Sequence, residues 1–376
     1  MLFQAHTGVQ PLPPHGRILA VKLADLGDVL NITPALRALR SSFPEARLDV
    51  LVNPHTAGLL QGSALVDEVV LFPKTSFEGL SILSPAAWRP LTRQMRTLRD
   101  RCYDAVVNFH HLTTPFGRVK QRALLAATGA PMTVGLDNGH GGWLTHPATD
   151  EGFGVRSEVE YWLALAGQLG ASSPDRTLDL PVAPSDHDKA GELLAAVGLG
   201  ARPFAVFHPG SGGFAPARRW DPPKFAALAA ALRRMYDLPV VLVGTAADDV
   251  PAVLAAATVP LIDLSKMLTL KQLAAVIARS ILFVGADSGV MHIAAAMRVP
   301  LVAIFGPSNP LAWAPWTPAS PSEVVRLGIS CSPCAYVQHR VGWRQGCPER
   351  TCLAELDVDQ VFAAAARLLG SEPGVR

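Results

Sequence analysis

The sequence lacks any hydrophobic run long enough to cross a membrane, since no stretch approaches the roughly 18 consecutive apolar residues of a spanning helix. Its beginning lacks the charged segment and apolar stretch of a secretory signal peptide. A large charge excess is also missing, because the formal net charge is +2, which argues against a dedicated nucleic-acid-binding protein. We therefore expect a cytoplasmic protein with no nucleic-acid partner.

Cysteine is scarce, with five residues in a chain of 376. Cys102 stands alone in an apparent core segment, which predicts a buried thiol that only packs. The other four follow the pattern C-x2-C-x12-C-x4-C, at Cys331, Cys334, Cys347 and Cys352. A reducing cytoplasm disfavours disulfides, so two interpretations remain for this cluster: a structural zinc site and unliganded thiols.

The length exceeds that of a typical single domain and favours two, and 49% hydrophobic residues are enough for two cores. A stretch that contains Pro and Ser, residues 171–185, is the predicted domain boundary. We expect a disordered leader at 1–16, an N-terminal domain at 17–180, a C-terminal domain at 186–356 and a last helical segment at 357–370.

Apolar runs of strand length alternate with helical patterns along both halves, which predicts two mostly parallel, doubly wound α/β sheets. The predicted strands are 17–23, 47–52, 66–72, 104–109, 132–136, 204–207, 240–243, 261–264, 281–284 and 301–305. The predicted helices are 28–42, 88–101, 117–128, 158–169, 223–235, 251–257, 270–279, 290–297 and 358–369. Residues 137–150 are predicted to form a loop, because they are rich in Gly, Asn and Asp.

The segment 281–307 organises the chain as a buried strand, a sharp polar turn, an Ala-rich helix and a second strand. Asp287, Ser288 and Gly289 open the helix, where unpaired N–H groups and the positive end of the dipole favour a phosphate. Helix capping would explain Asp287 or Ser288. It does not explain His292, one turn further along.

The sequence Asp-Ser-Gly-x-Met-His, followed by an Ala-rich helix and Phe-Gly-Pro, resembles the signature of glycosyltransferase family nine, the bacterial heptosyltransferases. A second motif agrees, since Gly-Asp-Val-Leu and Thr-Pro-Ala-Leu-Arg-Ala-Leu-Arg resemble the N-terminal motif of that family. The resemblance implies that Asp28 is the general base, a task that suits a carboxylate ionised at neutral pH. Asp25 is a nearby alternative carboxylate.

A third motif, the Gly-rich segment 208–220, also keeps the order of the family. In this motif Arg218 matches the diphosphate-binding Lys, and Ser211 and the loop backbone would add donors to the diphosphate. Taken alone, the pattern Gly-x-Gly-x-x-Ala could also indicate dinucleotide binding, but Pro216 interrupts the helix that should follow. A plain strand-to-helix loop is the remaining interpretation.

Three further features leave alternatives open. Asp248 follows a strand and would hold a ribose diol, or it caps the helix before Pro251; Met267 or Leu268 would lie beside the adenine. The Asp-x-Asp pairs at 186/188 and 357/359 are best explained as helix starts, so we predict catalysis without a metal. Residues 108–111 depart from the family pattern, and the resemblance does not identify the acceptor.

The resemblance covers roughly residues 17–370 and implies a GT-B fold, with two Rossmann-like domains facing each other across a cleft and the last helix packed on the first domain. It also implies an inverting, metal-independent transfer of a sugar, heptose above all, from an ADP-sugar. The acceptor would be a lipopolysaccharide core or another anionic glycolipid or glycan. The protein would then associate peripherally with the inner membrane. Asp287 and His292 would organise the helix end that binds the diphosphate. The alternatives are a non-catalytic sugar-nucleotide-binding protein and an NAD-dependent oxidoreductase.

Overall fold

The computed structural model describes residues 12–72, 85–212, 215–342 and 345–370. The chain forms two six-stranded sheets in these ranges, and the strand pairs within each sheet are parallel. Most of the predicted leader, residues 1–11, lies outside the described ranges. The rest of it forms a turn in which the Gly16 N–H donates to the Pro13 carbonyl at 2.8 Å.

The first sheet contains β1 (Arg17–Lys22), β2 (Arg47–Val52), β3 (Glu68–Leu71), β4 (Ala105–Asn108), β5 (Met132–Asp137) and β6 (His146–Thr149). The accompanying helices are α1 (Leu26–Asn31), α2 (Thr33–Ser42), α3 (Pro85–Asp100), α4 (Pro115–Thr128) and α5 (Glu158–Gln168), with a 3₁₀ segment at Pro54–Leu59. The strand order is β3-β2-β1-β4-β5-β6. The order therefore reverses beside β1, the point at which open α/β sheets bind their ligands.

The second sheet contains β7 (Ala205–His208), β8 (Val240–Leu242), β9 (Ile262–Asp263), β10 (Leu282–Ala286), β11 (Leu301–Phe305) and β12 (Ser322–Arg326). Its helices are α6 (Pro184–Ala196), α7 (Pro222–Tyr236), α8 (Val250–Ala256), α9 (Leu270–Ala278), α10 (Gly289–Ala296), α11 (Pro310–Trp313), α12 (Thr351–Ala354) and α13 (Val358–Gly370), with a 3₁₀ segment at Pro216–Arg218. The strand order is β12-β11-β10-β7-β8-β9, so this order reverses between β7 and β10.

The central strands are apolar along their whole length because both faces of a parallel sheet are covered. Every residue of β10 and β11 is buried, and β1 is buried after its first residue, Arg17. The last position of β1 is Lys22, a lysine that is 3% exposed at the edge where ligands bind. Burying a charged lysine costs free energy unless the ammonium is paired, so Lys22 needs a partner at this edge.

Several elements differ from the sequence predictions, and three of these differences show a physical reason. The predicted helix 28–42 is two helices, because Pro34 has no N–H to continue the ladder of α1 and the Thr33 hydroxyl donates to the Leu30 carbonyl at 2.7 Å in its place. The predicted loop 137–150 contains β6. The edge strand β12 was not predicted, since most of its residues are only partly buried and its pattern is correspondingly weak.

The predicted packing of the segment 357–370 against the first domain is wrong. Helix α13 instead packs on α7 and on strands β10, β11 and β12 of the second sheet. The physical reason is its apolar face, which joins the core of that sheet. Arg367 reinforces the contact through an ion pair with Glu323 of β12 at 3.0 Å.

The two halves touch where helix starts and loops meet. Helix α1 of the first half packs against α10 of the second, and α9 packs on the 3₁₀ segment of the first. Lys271 of α9 bridges the halves, since its ammonium donates to the carbonyls of Leu59, at 3.1 Å, and Pro181. Among the helices in the described ranges, none is long and apolar enough to cross a bilayer.

Candidate active site

A cleft of about 290 Å³ lies between the two halves, at the carboxyl ends of β1, β7 and β10. Residues of both halves line it, so the space depends on their relative position. All the sequence-predicted site residues reach this cleft: Asp28, Ser211, Arg218, Asp248, Asp287, Ser288, Gly289 and His292. The structure thus brings together residues that are up to about 260 positions apart in the chain.

Asp28 stands in the first turn of α1 with its carboxylate 23% exposed to the cleft. The Lys22 ammonium lies 3.1 Å from the Asp28 Oδ1, donates to the Phe109 carbonyl at 2.9 Å and sits 4.2 Å from the centroid of the Trp162 ring. These contacts fix the Lys22 ammonium, and the ammonium in turn orients the Asp28 carboxylate. Asp25, the alternative carboxylate, is 66% exposed and lies 3.5 Å from His55.

Helix capping does not explain the polar residues at the helix starts. Asp25 and Ser288 occupy the N-cap positions of α1 and α10, yet neither side chain makes a capping hydrogen bond. Ser288 instead shares a hydrogen bond of 3.2 Å with His208 at the end of β7. Within the described residues no side-chain cap therefore occupies the first N–H groups of α10, those of Gly289 and Val290, and they can bind an anionic ligand in the cleft.

Glycines allow the starts of α1 and α10 to approach each other. A Cβ atom at Gly27 would lie 2.5 Å from the His292 ring, and one at Gly289 would lie 2.8 Å from the Leu26 Cβ. Neither distance is possible for real atoms, so any side chain at these positions would push the halves apart. The proximity of Asp28 to the phosphate-binding helix start depends on these two residues.

His292 is buried at this contact, and burial lowers its pKa below the ordinary value. Its imidazole is therefore neutral at physiological pH. The Nδ1 atom has no hydrogen-bond partner within the described part of the chain. The ring fills space between Gly27 and the acidic Asp287, which agrees with a role in organising the helix start.

Arg218 ends the 3₁₀ segment and reaches the cleft with 17% of its side chain exposed. It donates to the Tyr336 hydroxyl at 2.9 Å, and its Nη1 lies 3.1 Å from the Asp287 Oδ2. This second contact lacks hydrogen-bonding geometry, so its attraction is electrostatic. Burial lowers the pKa of Arg218, but Asp287 and Tyr336 outweigh it and the pKa is raised, which keeps the guanidinium charged.

Asp248 is not free to hold a ribose, contrary to the interpretation from sequence. Its side chain is 2% exposed, and its carboxylate accepts from the Thr245 N–H and hydroxyl, each at 2.8 Å, and from the Gly212 N–H at 3.3 Å. Burial alone would raise the pKa of Asp248, but His208 and the Thr245 donors lower it by a larger amount. The carboxylate therefore stays ionised. Asp248 therefore anchors the Gly-rich loop.

Side-chain contacts stabilise the Gly-rich loop, and no helix follows its glycines directly. The Ser211 hydroxyl donates to the Ala215 carbonyl at 2.7 Å, and Arg219 pairs with Asp249 at 2.9 Å. Helix α7 begins only at Pro222, within one residue of the predicted start. A dinucleotide fingerprint opens a helix directly after its glycines, so this geometry disfavours the oxidoreductase alternative.

Sequence reasoning missed two residues of the site, Lys22 and Tyr336. Lys22 carried a weak signal, since a lysine that ends a buried strand needs a partner. Tyr336 carried none, because it lies on a loop more than 100 residues from Arg218. His111, in the segment that departs from the family pattern, is buried and not placed to bind an acceptor.

Comparison with known proteins agrees with these observations. The model of the family described as "Glycosyltransferase family 9 (heptosyltransferase)" matches residues 91–343. Lipopolysaccharide heptosyltransferase 3 of Escherichia coli K12 is 28% identical over 305 residues, which are 77% of this chain and 83% of that protein.

Solved structures of similar fold include the family 9 glycosyltransferase of Veillonella parvula, with a TM-score of 0.76 and 23% identity over 95% of this chain and 98% of that one. The E. coli heptosyltransferase WaaC with ADP-2-deoxy-2-fluoro heptose has a TM-score of 0.67 and 20% identity, over 93% and 99% of the two chains. These likenesses, together with the two parallel sheets, confirm the predicted GT-B fold.

Proposed function

The chain belongs to glycosyltransferase family 9, and from that premise we propose that this glycosyltransferase of lipopolysaccharide synthesis uses ADP-heptose as its donor. A similar E. coli enzyme holds a fluorinated ADP-heptose in its solved structure, which supports the donor. The observation that carries the proposal is the meeting of Asp28, Arg218 and the start of α10 in one cleft. A base and a diphosphate site on opposite walls are what a direct displacement at the anomeric carbon requires.

Asp28 is the general base in this proposal. As the acceptor hydroxyl attacks the anomeric carbon, Asp28 takes its proton, and the bond between that carbon and the ADP oxygen breaks on the opposite face. The configuration of the sugar is therefore inverted. Lys22 keeps the carboxylate oriented between turnovers through its contact at 3.1 Å.

The departing ADP is stabilised from the second half. Negative charge grows on the diphosphate as the glycosidic bond breaks, so donors that are already fixed there stabilise the transition state most. Arg218 supplies a charged group, and the N–H groups at Ser288 and Gly289 supply the positive end of α10. Asp287 holds Arg218 in place, and Ser211 and Asp248 shape the adjoining loop.

No metal ion is needed for the chemistry in this proposal, because Arg218 and the helix start provide the positive charge that a divalent cation would otherwise supply. We also propose that the acceptor is an anionic glycolipid or glycan and that the enzyme works in the cytoplasm at the inner-membrane surface. The exposed arginines of α3, Arg89, Arg93, Arg96 and Arg99, support an anionic surface as its surroundings.

The decisive experiment replaces the base. Asp28→Asn should lower the transfer rate by at least about a hundredfold, the ordinary contribution of a general base, while the affinity for ADP changes only a few fold. Asp25→Asn is the matched control and should retain the wild-type rate. The rate is measured as ADP release and the anomeric configuration of the product by NMR. A near-normal rate for Asp28→Asn, or a donor other than ADP-heptose among ADP-, GDP- and UDP-sugars, would refute the proposal.

A further inference from the structure

A loop of the second half contacts a loop of the first half beside the cleft. Residues 335–341 of the second half and residues 150–156 of the first half meet in a short antiparallel bridge. In this bridge the Phe153 N–H donates to the Gln338 carbonyl at 2.6 Å. The two segments form a clasp between the halves, because each half supplies one side of the bridge.

Two glycines allow the clasp to close. Gly152 and Gly154 have φ of +93° and +86°, a conformation that residues with a side chain rarely adopt. A Cβ atom at Gly152 would lie 2.9 Å from the Gln338 carbonyl oxygen, and one at Gly154 would collide with the Asn309 amide. On its own half, the Gly152 carbonyl accepts from the Tyr161 hydroxyl of α5 at 2.8 Å. The clasp therefore permits close contact and is anchored to a helix of the first half.

The second-half segment of the clasp keeps a conformation that its own residues do not favour. Tyr336 and Gln338 have φ of +58° and +53°, and this left-handed region costs free energy for residues other than glycine. Contacts must offset that cost. The Asn309 amide donates to the Tyr336 carbonyl at 3.0 Å, and the Phe153 N–H holds the Gln338 carbonyl. Part of what stabilises this conformation therefore comes from the other half.

The side chains of the clasp continue into the cleft. The Phe153 ring is 7% exposed and packs edge-on against the Tyr336 ring, with 5.3 Å between the centroids. Tyr336 lines the cleft, and its hydroxyl accepts a hydrogen bond from Arg218 at 2.9 Å. A ring of the first half thus supports the hydroxyl that contacts the diphosphate-binding arginine of the second half.

No disulfide fixes the second-half segment, since all five cysteines lie in the described ranges and are free thiols. Cys102 is exposed rather than buried as its surroundings in sequence suggested. As the side chains stand, no group of three or more His, Cys, Asp or Glu in the described part of the chain could hold a metal ion. The four clustered cysteines line a separate cavity of about 270 Å³: Cys331, Cys334, Cys347 and Cys352.

We propose that the clasp makes the first half part of the donor site: Phe153 holds Tyr336 in place, and Tyr336 holds Arg218 ready for the diphosphate. Phe153 is a positioning residue, because it acts on the donor through Tyr336. Binding of the diphosphate and docking of the two halves then strengthen each other by the same factor. This inference rests on the proposed donor site and adds the part of it that the first half supplies.

The first test measures ADP affinity in variants of the first half. Phe153→Ala should weaken ADP binding about three- to tenfold, the contribution of one hydrogen bond, and should leave the KM for the acceptor unchanged. Phe153→Leu keeps an apolar side chain against Tyr336 and should recover most of the affinity. Val155, 61% exposed in the same segment, provides the matched control, and Val155→Ala should bind ADP as the wild type does. Wild-type ADP affinity in a folded Phe153→Ala would overturn the proposal.

A double substitution shows whether the effect passes through Tyr336. Tyr336→Phe removes the hydroxyl that contacts Arg218 and should weaken ADP binding by a similar factor. In the Tyr336→Phe background, Phe153→Ala should then change the affinity less than about twofold, because the hydroxyl that Phe153 supports is already gone. Losses that multiply would mean that Phe153 acts independently of Tyr336, and the proposal would fail.

Hydrogen exchange in the wild type provides a measurement that needs no variant. ADP should slow the exchange of amides in residues 150–156, the Phe153 amide above all, although the diphosphate site lies on the other half. Exchange in β3, at the opposite edge of the same sheet, should not change. Unchanged exchange at 150–156 with ADP bound would contradict the coupling. A wild type that binds GDP or UDP in place of ADP would refute the proposed donor alone, and the same comparisons with that nucleotide would decide on the clasp.

Discussion

Arg218 illustrates how one side chain can serve binding and catalysis through its fixed position. Its guanidinium is held between the Tyr336 hydroxyl and the Asp287 carboxylate, and the ring of Tyr336 lies 5.3 Å from its central carbon. Little conformational entropy remains to be lost when a diphosphate arrives. The adjacent Arg219 differs, since it pairs with Asp249 and the carbonyls of the loop.

Replacing Arg218 separates these roles. Arg218→Ala should weaken ADP binding about ten- to hundredfold, because a charged hydrogen bond to phosphate contributes about 1.5–3 kcal/mol, and Arg218→Lys should recover much of the loss. Arg219→Ala is the comparison and should lower the thermal midpoint more than the ADP affinity. Calorimetric titration with ADP measures the affinities. Equal ADP affinity in the wild type and Arg218→Ala would remove Arg218 from the site.

A second buried charge cluster stabilises the first half of the molecule. His111 lies 3.0 Å from Asp150 and 3.1 Å from Glu158, and both carboxylates are almost fully buried. Burial alone would lower the His111 pKa, but Glu158 and Asp150 raise it to about 9. The ring is therefore an imidazolium at neutral pH, and it lies between the buried carboxyl groups of Asp150 and Glu158. His339, half exposed at 3.7 Å from Asp150, adds a weaker contact.

The titration of His111 in this cluster should make the free energy of unfolding depend on pH. The His111 pKa is higher in the folded state, about 9, than in the unfolded state, about 6.5. Its contribution is therefore complete below about pH 6.5 and lost as the pH rises to about 9, a decrease of ~3 kcal/mol in the free energy of unfolding. Denaturant titrations across this range measure the decrease. His111→Gln should remove most of the slope and His339→Gln little of it; an unchanged slope in His111→Gln would contradict the assignment.

At the scale of elements, the contact between α1 and α10 sets the width of the cleft. Gly27→Ala would force the His292 ring away and move Asp28 relative to Arg218. A misplacement of about 1 Å can cost a hundredfold in rate, so we expect a similar loss in kcat together with a lower thermal midpoint. Steady-state kinetics and thermal unfolding measure the two effects.

A helical glycine with free space around it provides the control for this substitution. Gly167 lies within α5, and a Cβ there would meet nothing within 4 Å. Gly167→Ala should leave kcat unchanged and raise stability by about 0.5–1 kcal/mol. Wild-type kcat in Gly27→Ala would show that the close contact of the two helix starts is not required for transfer.

The elements that carry a strong pattern could be predicted, and those stabilised mainly by long-range contacts could not. The strand and helix at 281–297 have a buried run, a polar turn and Ala-rich periodicity. This local pattern is sufficient to predict both elements. Strand β12 is half exposed and depends on pairing with β11. The docking of α13 depends on which apolar surface is available, and its own amphipathic pattern does not specify that surface.

At the scale of the whole molecule, each half supplies one part of the reaction. The first half contributes Asp28 and its partner Lys22, and the second contributes Arg218 and the start of α10. The sequence could predict Asp28, Arg218 and the start of α10, because each lies in a segment that follows a strand, whereas it gave only a weak signal for Lys22. It could not predict that Tyr336 supports Arg218 or that Asp248 faces its own loop, because those contacts depend on how distant loops fold over one another.

In the proposed mechanism the transfer does not depend on a divalent cation at the diphosphate. Transfer should persist in EDTA without added magnesium or manganese, because Arg218 and the N–H groups of α10 neutralise the departing diphosphate. Circular dichroism of the same samples accompanies the assay, so that a loss of the fold is distinguished from a loss of the chemistry.

The outcomes of the EDTA experiment separate a loss of the chemistry from a loss of the fold. Activity that disappears at once with normal circular dichroism, and that returns with magnesium or manganese, would contradict the metal-free mechanism. Activity that falls only together with the circular dichroism signal would reflect unfolding, and it would leave the chemistry at Asp28 and Arg218 as proposed.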